Sequence, residues 1–238
     1  MTVAFLEKRL NDTRFSRFRP IPVAEDLTVE QEIYFKEQAD LFPTVTVERQ
    51  TVRAYQYGSL AAHVLGYVGG LSDQQWESFR GKNHPSKPYI QSDEIGKAGI
   101  EATYEEHLRG TPGRQVFEVD ARNRTVRELT SQRQEPQPGD DVYLSIDARV
   151  QYKAEEALQA RIVNSGSPTP AGAATVVDPR NGQVIAMASY PTYDPAQLIG
   201  GISQAEYDAL TAEPEKIMSN RAIQEAYPAA STVKLATS

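Results

Sequence analysis

Hydrophobic positions along the chain fall into four helical periods and six short strand-like runs. Val29, Ile33 and Tyr34 recur at helical spacing toward Leu41, with Thr28 three residues ahead of Gln31 as in a capping box and Pro43 as the stop. Ile100, Tyr104 and Leu108 recur every four residues ahead of Gly110, which predicts a second helix. The longest period is Val150, Ala154, Leu158 and Ile162, entered at Asp147 as N-cap and closed at Asn164 and Gly166. The other face of that helix carries Gln151, Lys153, Glu155 and Glu156 and is expected to be solvated. A fourth helix is predicted from Ser203, with Glu206 three positions later, through Tyr207 and Leu210.

Strand-like runs occupy residues 44–47, 115–119, 125–129, 142–146, 173–177 and 183–188. The last two flank Asp178-Pro179-Arg180-Asn181-Gly182, whose Pro and Asn-Gly favour a tight reversal, so an antiparallel hairpin is predicted there. The uncharged stretch 54–72 contains four glycines with Gln56, Ser59 and His63. It reads as buried strands and turns, since a spanning helix needs about 20 mostly apolar residues. Two stretches rich in Pro and Gly, 134–139 and 165–170, read as linkers. The first is taken as the domain boundary, giving domains 1–140 and 141–238, and the segregated strands and helices suggest an α+β class.

Composition narrows the chemistry. The 238 residues correspond to about one and a half typical domains. A net charge of −7 and the absence of any run of five like charges argue against a nucleic-acid partner, which clustered Lys and Arg would serve. With no cysteine, disulfides, thiolate metal sites, iron–sulfur clusters and thiol catalysis are excluded. The N-terminus MTVAFLEKRL carries Glu7 and no apolar core of signal-peptide length. The expectation is therefore a cytosolic protein or one whose anchor lies upstream. His63, His84 and His107 are far apart in sequence, and His63, in an apolar run, is expected to be a packed, hydrogen-bonded core residue.

No GxSxG, HExxH or GxGxxG occurs, and Gly96-Lys97 is followed by Ala98 where a phosphate loop would need Ser or Thr. The one nucleophile pattern is Ser231-Thr232-Val233-Lys234. On a helix, a spacing of three brings the lysine amine within reach of the serine hydroxyl. The lysine can take the serine proton when burial or nearby cations favour its neutral form. As a bare pattern, S-x-x-K also fits an exposed tail.

Five ordered blocks supply context, and together they resemble the class B penicillin-binding proteins of the elongation type, from near Arg19 to the last residue. FPTVTVERQTVRAYQYGSLAAHVLGYVGGLS matches through Arg53, Tyr55, His63, Gly66, Tyr67 and Gly69. IGKAGIEATYEEHLRGTPG matches through Gly99, Glu101, Tyr104, Glu105, Leu108, Arg109 and Gly110. PGDDVYLSIDARVQ is similar to the entry into a transpeptidase domain, VVDPRNGQVIAMASYPTYDP to its first hairpin, and NRAIQEAYPAASTVK to the approach to its serine.

The resemblance implies an elongated pedestal, or dimerisation-type, domain followed by the N-terminal part of a penicillin-binding and β-lactamase-like transpeptidase domain. It implies no cofactor and no metal. Ser231 would be the nucleophile toward the carbonyl between two D-alanines of a stem peptide or toward a β-lactam, and Lys234 its general base. The serine amide would form half of the oxyanion hole. Glu101 is expected to pair with an arginine such as Arg53, and Asn220 and Arg221 to order the chain. Two departures stand out. Ala229-Ala230 replaces the family's Pro-Gly, which predicts a differently built nucleophile turn. The family's Ser-x-Asn and Lys-Thr-Gly motifs do not occur by Ser238, so residues 1–238 alone are expected not to acylate. Implied partners are peptidoglycan stem peptides and β-lactams, a RodA-like glycosyltransferase and a scaffold protein of the elongation complex. The body would lie on the extracytoplasmic side of the cell membrane, with the anchor outside this chain. The alternative is a non-catalytic pedestal module that binds elongation partners.

Overall fold

The computed structural model describes residues 2–11, 21–48, 51–80, 88–120, 125–166, 170–202, 204–212 and 216–227. In chain order the helices are α1 (Val3–Leu10), α2 (Val29–Glu37), α3 (Ala62–Leu65), α4 (Asp73–Arg80), α5 (Gly99–Thr103), α6 (Glu105–Leu108), α7 (Ala148–Val163), α8 (Gln204–Thr211) and α9 (Arg221–Gln224). The strands are β1 (Val68–Gly70), β2 (Glu94–Gly96), β3 (Phe117–Val119), β4 (Thr125–Glu128), β5 (Gly172–Val177) and β6 (Val184–Tyr190). They form three antiparallel pairs, β1–β2, β3–β4 and β5–β6, so the expected α+β class holds. Two compact units divide the chain. One comprises residues 1–53, 71–82 and 89–93, the other 54–70, 83–88 and 94–238.

In the first unit the predicted capping box is complete. Thr28 Oγ1 accepts from the Gln31 amide at 3.3 Å and Gln31 Oε1 accepts from the Thr28 amide at 2.9 Å, which satisfies two of the donors a helix start leaves open. Beyond α2 the rings of Phe35 and Phe42 pack edge to face at 5.2 Å. The strand expected at 44–47 does not form. The Val45 amide instead bonds back to the Phe42 carbonyl in a turn after Pro43. The same box signature stands at Ser72 and Gln75, where Gln75 Oε1 accepts from the Ser72 amide and Ser72 Oγ from the Gln75 amide. It starts α4, a helix the hydrophobic pattern alone did not predict.

In the second unit, stretch 54–72 forms turns, then α3, then β1, which pairs with β2 from Val68 opposite Gly96 to Gly70 opposite Glu94. The single helix expected around Ile100, Tyr104 and Leu108 is split at Tyr104, whose φ of −109° lies outside the helical range. At the break the Glu105 carboxylate turns to accept the Gly96 amide at 2.8 Å, joining α6 to β2. β3 and β4 fall within their predicted runs and pair with a bulge after Glu118. The predicted linker 134–139 is not free. It exchanges backbone bonds of 2.8–2.9 Å with Thr111 and Arg114, and the Asp140 amide bonds the His107 carbonyl. Gly139 permits that approach, because a Cβ there would lie 2.0 Å from the Leu108 carbonyl oxygen. Residues 142–146 pair with no strand among the described residues; only the Ser145 hydroxyl and the Asp147 amide reach β6, at the Val184 and Ile185 carbonyls.

The β5–β6 hairpin matches its prediction. Its register runs from Gly172 opposite Tyr190 to Val177 opposite Val184, and the turn closes where the Gly182 amide reaches the Asp178 carbonyl at 2.8 Å with Gly182 at φ +76°. α7 packs on this hairpin. Asp147 caps it by accepting from the Arg149 and Val150 amides. The Arg149 guanidinium and amide hold the Asp147 carboxyl down to about 2.

The face of α7 expected to be solvated is not solvated throughout. Gln151 is fully buried, and Glu155 is half-buried. A spacing of four residues advances a helical stripe by 40° at each step, whereas positions 151, 154, 155, 158 and 162 keep to one face. The Gln151 carboxamide closes both backbone bonds of Met187 in β6. It accepts the Met187 amide at 2.7 Å and donates to the Met187 carbonyl at 2.9 Å, with a further bond of 2.6 Å to Glu155 Oε1. That same carboxylate oxygen accepts from the Ala61 amide at 2.8 Å, just ahead of α3.

Ser203, the expected cap of the fourth helix, and residues 167–169 of the second linker lie outside the described residues. Replacing Gln151 by Leu strands two buried backbone groups in β6, so the Gln151→Leu chain is expected to lose about 2–4 kcal/mol in urea unfolding. The exposed Gln159→Leu control should stay within about 0.5 kcal/mol.

Candidate functional site

Ser231, Lys234 and the Ala229-Ala230 pair lie outside the described residues. What is described is the frame that leads to them, residues 216–227 set against β6 and α3. β6 supplies the floor. Ala186 and Ala188 are fully buried, and Ser189 is buried beside them.

Asn220 stands at the N-cap position of α9, but its side chain makes no cap bond. Its Nδ2 donates to the His63 carbonyl at 3.1 Å, and its Oδ1 lies 3.4 Å from Ser189 Oγ, so the cap residue is turned into the core. The Asn220 amide donates to Gln224 Oε1 at 2.8 Å, from the residue one place beyond the N3 position that a capping box would use. Arg221 is also buried and donates to the Lys216 carbonyl at 3.2 Å. Both residues thus order the chain, as expected.

His63, expected as a packed core residue, is one: 7% exposed, with Nε2 2.8 Å from the Ile217 carbonyl oxygen. Its ring meets the Tyr193 ring edge to face at 5.2 Å. Tyr193 Oη in turn donates to the Ala62 carbonyl at 3.2 Å. Ala62, Tyr193 and Leu198 form the core of this region, with Tyr67, Ile202, Leu210, Ile217 and Met218 packed around it. Burial pushes the Tyr67 phenol up to about 12, helped by the neighbouring Tyr207, and pushes Tyr193 up as well. An open cleft of about 230 Å³ lies beside α7, lined by Tyr57, Tyr152, Glu155, Glu156 and Tyr190, and His63 and Asn220 are not part of it. Among the described residues, no three His, Cys, Asp or Glu side chains stand where they could hold a metal ion.

Burial lowers the pKa of His63 below its ordinary 6.5. The bond to the Ile217 carbonyl pulls it back up, and the Arg221 guanidinium lowers it. As pH falls through 6.5, the unfolded chain takes up this proton before the folded one does. Stability that is present above this range is therefore lost on acidification. Thermal unfolding between pH 7.5 and 5.5 should show a Tm that falls with pH, and His63→Gln should remove the His63 share of that slope. An unchanged slope in the variant would show that His63 does not carry it.

Comparison with known proteins adds to this geometry. The penicillin-binding protein dimerisation domain matches residues 1–144, and the penicillin-binding protein transpeptidase domain matches residues 172–238. The peptidoglycan D,D-transpeptidase MrdA of Escherichia coli K12 is 39% identical over 231 residues, covering 97% of this chain and 34% of that protein. The MrdA of Acinetobacter baumannii is 36% identical over 200 residues, covering 84% of this chain and 27% of that protein. The chain thus spans about a third of the length of the curated relatives it matches. Among solved structures, the complex of penicillin-binding protein PBP2 with MreC from Helicobacter pylori matches with a TM-score of 0.70 and 27% identity, over 96% of this chain and 40% of that one. Pseudomonas aeruginosa PBP2 in complex with WCK 5153 matches with a TM-score of 0.55 and 33% identity, over 79% of this chain and 34% of that one. The match to the dimerisation domain across more than half of the chain, with the transpeptidase domain beginning behind it, shows that the chain belongs to the penicillin-binding proteins.

Proposed function

We propose that residues 1–238 are the pedestal, up to about residue 140, and the opening part of the catalytic domain of a peptidoglycan D,D-transpeptidase of the wall-elongation type. The observation that carries this reading is the transpeptidase-domain match over 172–238, which contains Ser231-Thr232-Val233-Lys234 directly behind α9. In the whole protein Lys234 takes the proton of the Ser231 hydroxyl, and the oxygen attacks the carbonyl carbon between two D-alanines. The tetrahedral intermediate collapses to a serine ester as the terminal D-alanine leaves with the proton on its amine. An amine of a second stem peptide then attacks the ester, forms the cross-link and frees the serine. A β-lactam enters at the first step and stays as the acyl-enzyme. The substrate places the body outside the cytoplasmic membrane. No helix among the described residues is long and apolar enough to cross one.

Full-length protein incubated with a fluorescent penicillin should give a covalent band on denaturing electrophoresis that Ser231→Ala abolishes. A band that persists in Ser231→Ala would overturn the assignment. Residues 1–238 alone should stay unlabelled, since neither Ser-x-Asn nor Lys-Thr-Gly is among them.

A partner role of the pedestal accompanies this reading. In the first unit, Val29 is 66% and Leu41 68% exposed, with Ile33 and Tyr34 about half exposed, an apolar surface of the kind that partners cover. The Helicobacter relative was solved with MreC bound. We place a scaffold protein of the elongation complex on this surface, and a RodA-like glycosyltransferase among the complex's other partners. In the full-length protein Ile33→Glu with Leu41→Glu should weaken scaffold binding by about tenfold or more and leave penicillin labelling unchanged. Unaltered binding in a calorimetric titration would move the scaffold elsewhere.

A further inference from the structure

One residue grips the approach to Ser231 at two points. His63 Nε2 lies 2.8 Å from the Ile217 carbonyl oxygen, and the His63 carbonyl accepts from Asn220 Nδ2 at 3.1 Å. A carbonyl oxygen only accepts, so Nε2 carries the ring proton. These bonds cross 154 and 157 residues of sequence and land on the short segment that enters α9, whose Asn220 stands 11 residues before Ser231. His63 and Asn220 are buried, 7% and 8% exposed; the bond between them is buried and the one to Ile217 partly so. The histidine is itself held. Tyr193 covers its ring at 5.2 Å and bonds the preceding Ala62 carbonyl, while Glu155 fixes the Ala61 amide. Asn220 is held on its other side by Ser189 of β6. An asparagine at a helix N-cap would ordinarily bond the first helical amides. Here that role is given up in favour of the link to α3.

We propose that His63 and Asn220 are positioning residues for acyl transfer, forming a two-point bracket from α3 that sets the register of residues 217–224, the segment from which the chain continues to Ser231. The proposal rests on Ser231 being the nucleophile. An apolar contact tolerates sliding, whereas two hydrogen bonds from one residue to positions 217 and 220 fix a single register. A misplacement of about 1 Å at a reacting group costs on the order of 100-fold in rate.

The test uses full-length protein carrying His63→Phe, His63→Gln, Asn220→Asp and the double variant His63→Phe/Asn220→Asp, each at a temperature where circular dichroism shows it folded. The acylation rate with a fluorescent penicillin should fall by about tenfold or more in His63→Phe and Asn220→Asp. It should recover to within about threefold of wild type in His63→Gln, whose carboxamide still donates. The double variant should be no slower than the slower single one, because losing either bond already frees the one register that both bonds fix. A second readout is independent of Ser231. Hydrogen exchange of amides 217–227 should rise in the same two single variants while that of β5 and β6 stays unchanged. Local loosening in a protein that penicillin does not label would sink the nucleophile assignment and leave the bracket standing. Folded His63→Phe that acylates within about twofold of wild type, or loosening that spreads equally through β5 and β6, would overturn the proposal. Asn220→Ser replaces Asn220→Asp if the latter does not fold.

Discussion

The buried carboxamide of Gln151 is the constraint on which the second unit depends. A two-stranded hairpin is marginal by itself in water, and among the described residues β5 and β6 pair only with each other. Gln151 ties α7 to the middle of β6 by closing the Met187 amide and carbonyl together. A carboxamide can do this because it carries a donor and an acceptor side by side, the same pair that a neighbouring strand would offer. With Gln151 in place, Glu155 one turn later is aimed at the Ala61 amide, which brings the start of α3 to the same helix face. The hairpin, α7 and α3 therefore share one polar junction.

That junction has a direction that an apolar one would lack. Leucine in place of Gln151 could fill the space, but it would specify neither the register of β6 along α7 nor the rotation of α7 about its axis. Inside a protein each hydrogen bond is stronger than in water, and an unpaired group is correspondingly costly. The junction therefore holds one arrangement and penalises its neighbours. His63 and Asn220 repeat the principle between α3 and the segment that enters α9, with Tyr193 packed edge to face on the His63 ring and Tyr67 on Tyr193. Burial leaves its mark on the titrating groups, lowering His63 and raising the two phenols.

Much of this was legible in the sequence where the signal was local. The Thr28–Gln31 box, the Asp147 cap and the Asp178–Gly182 reversal each rest on side chains acting within a few residues of themselves, and each is in place. The Ser231–Lys234 spacing and its neighbouring blocks led to the family that the domain matches show. What the pattern missed depends on contacts far along the chain. Gln151 reads as solvated until β6 arrives 36 residues later. The helix around Tyr104 is split where Glu105 reaches back to Gly96, and the Pro-rich stretch 134–139 reads as a linker until residues 111–114 supply its partners. The Ser72–Gln75 box shows the opposite failure: the signal was local and present, but too few apolar positions followed it to draw attention.

On the proposed reading of Ser231 as the nucleophile, these connections set where the chain that leads to it begins. Ser231 is separated from the bracket at Asn220 by a stretch containing Pro228 and then Ala229-Ala230, where the family's pattern has Pro-Gly directly before the serine. Glycine there would open the left-handed region of backbone space at little cost, and alanine closes most of it. Precision at the serine then has to be set upstream, by groups that fix register. His63 and Asn220 are such groups, and they hang from α3, whose start is fixed by the same carboxylate that Gln151 holds. The segment that enters α9 is in this way tied, through Asn220, His63 and Glu155, to the buried Gln151 of α7.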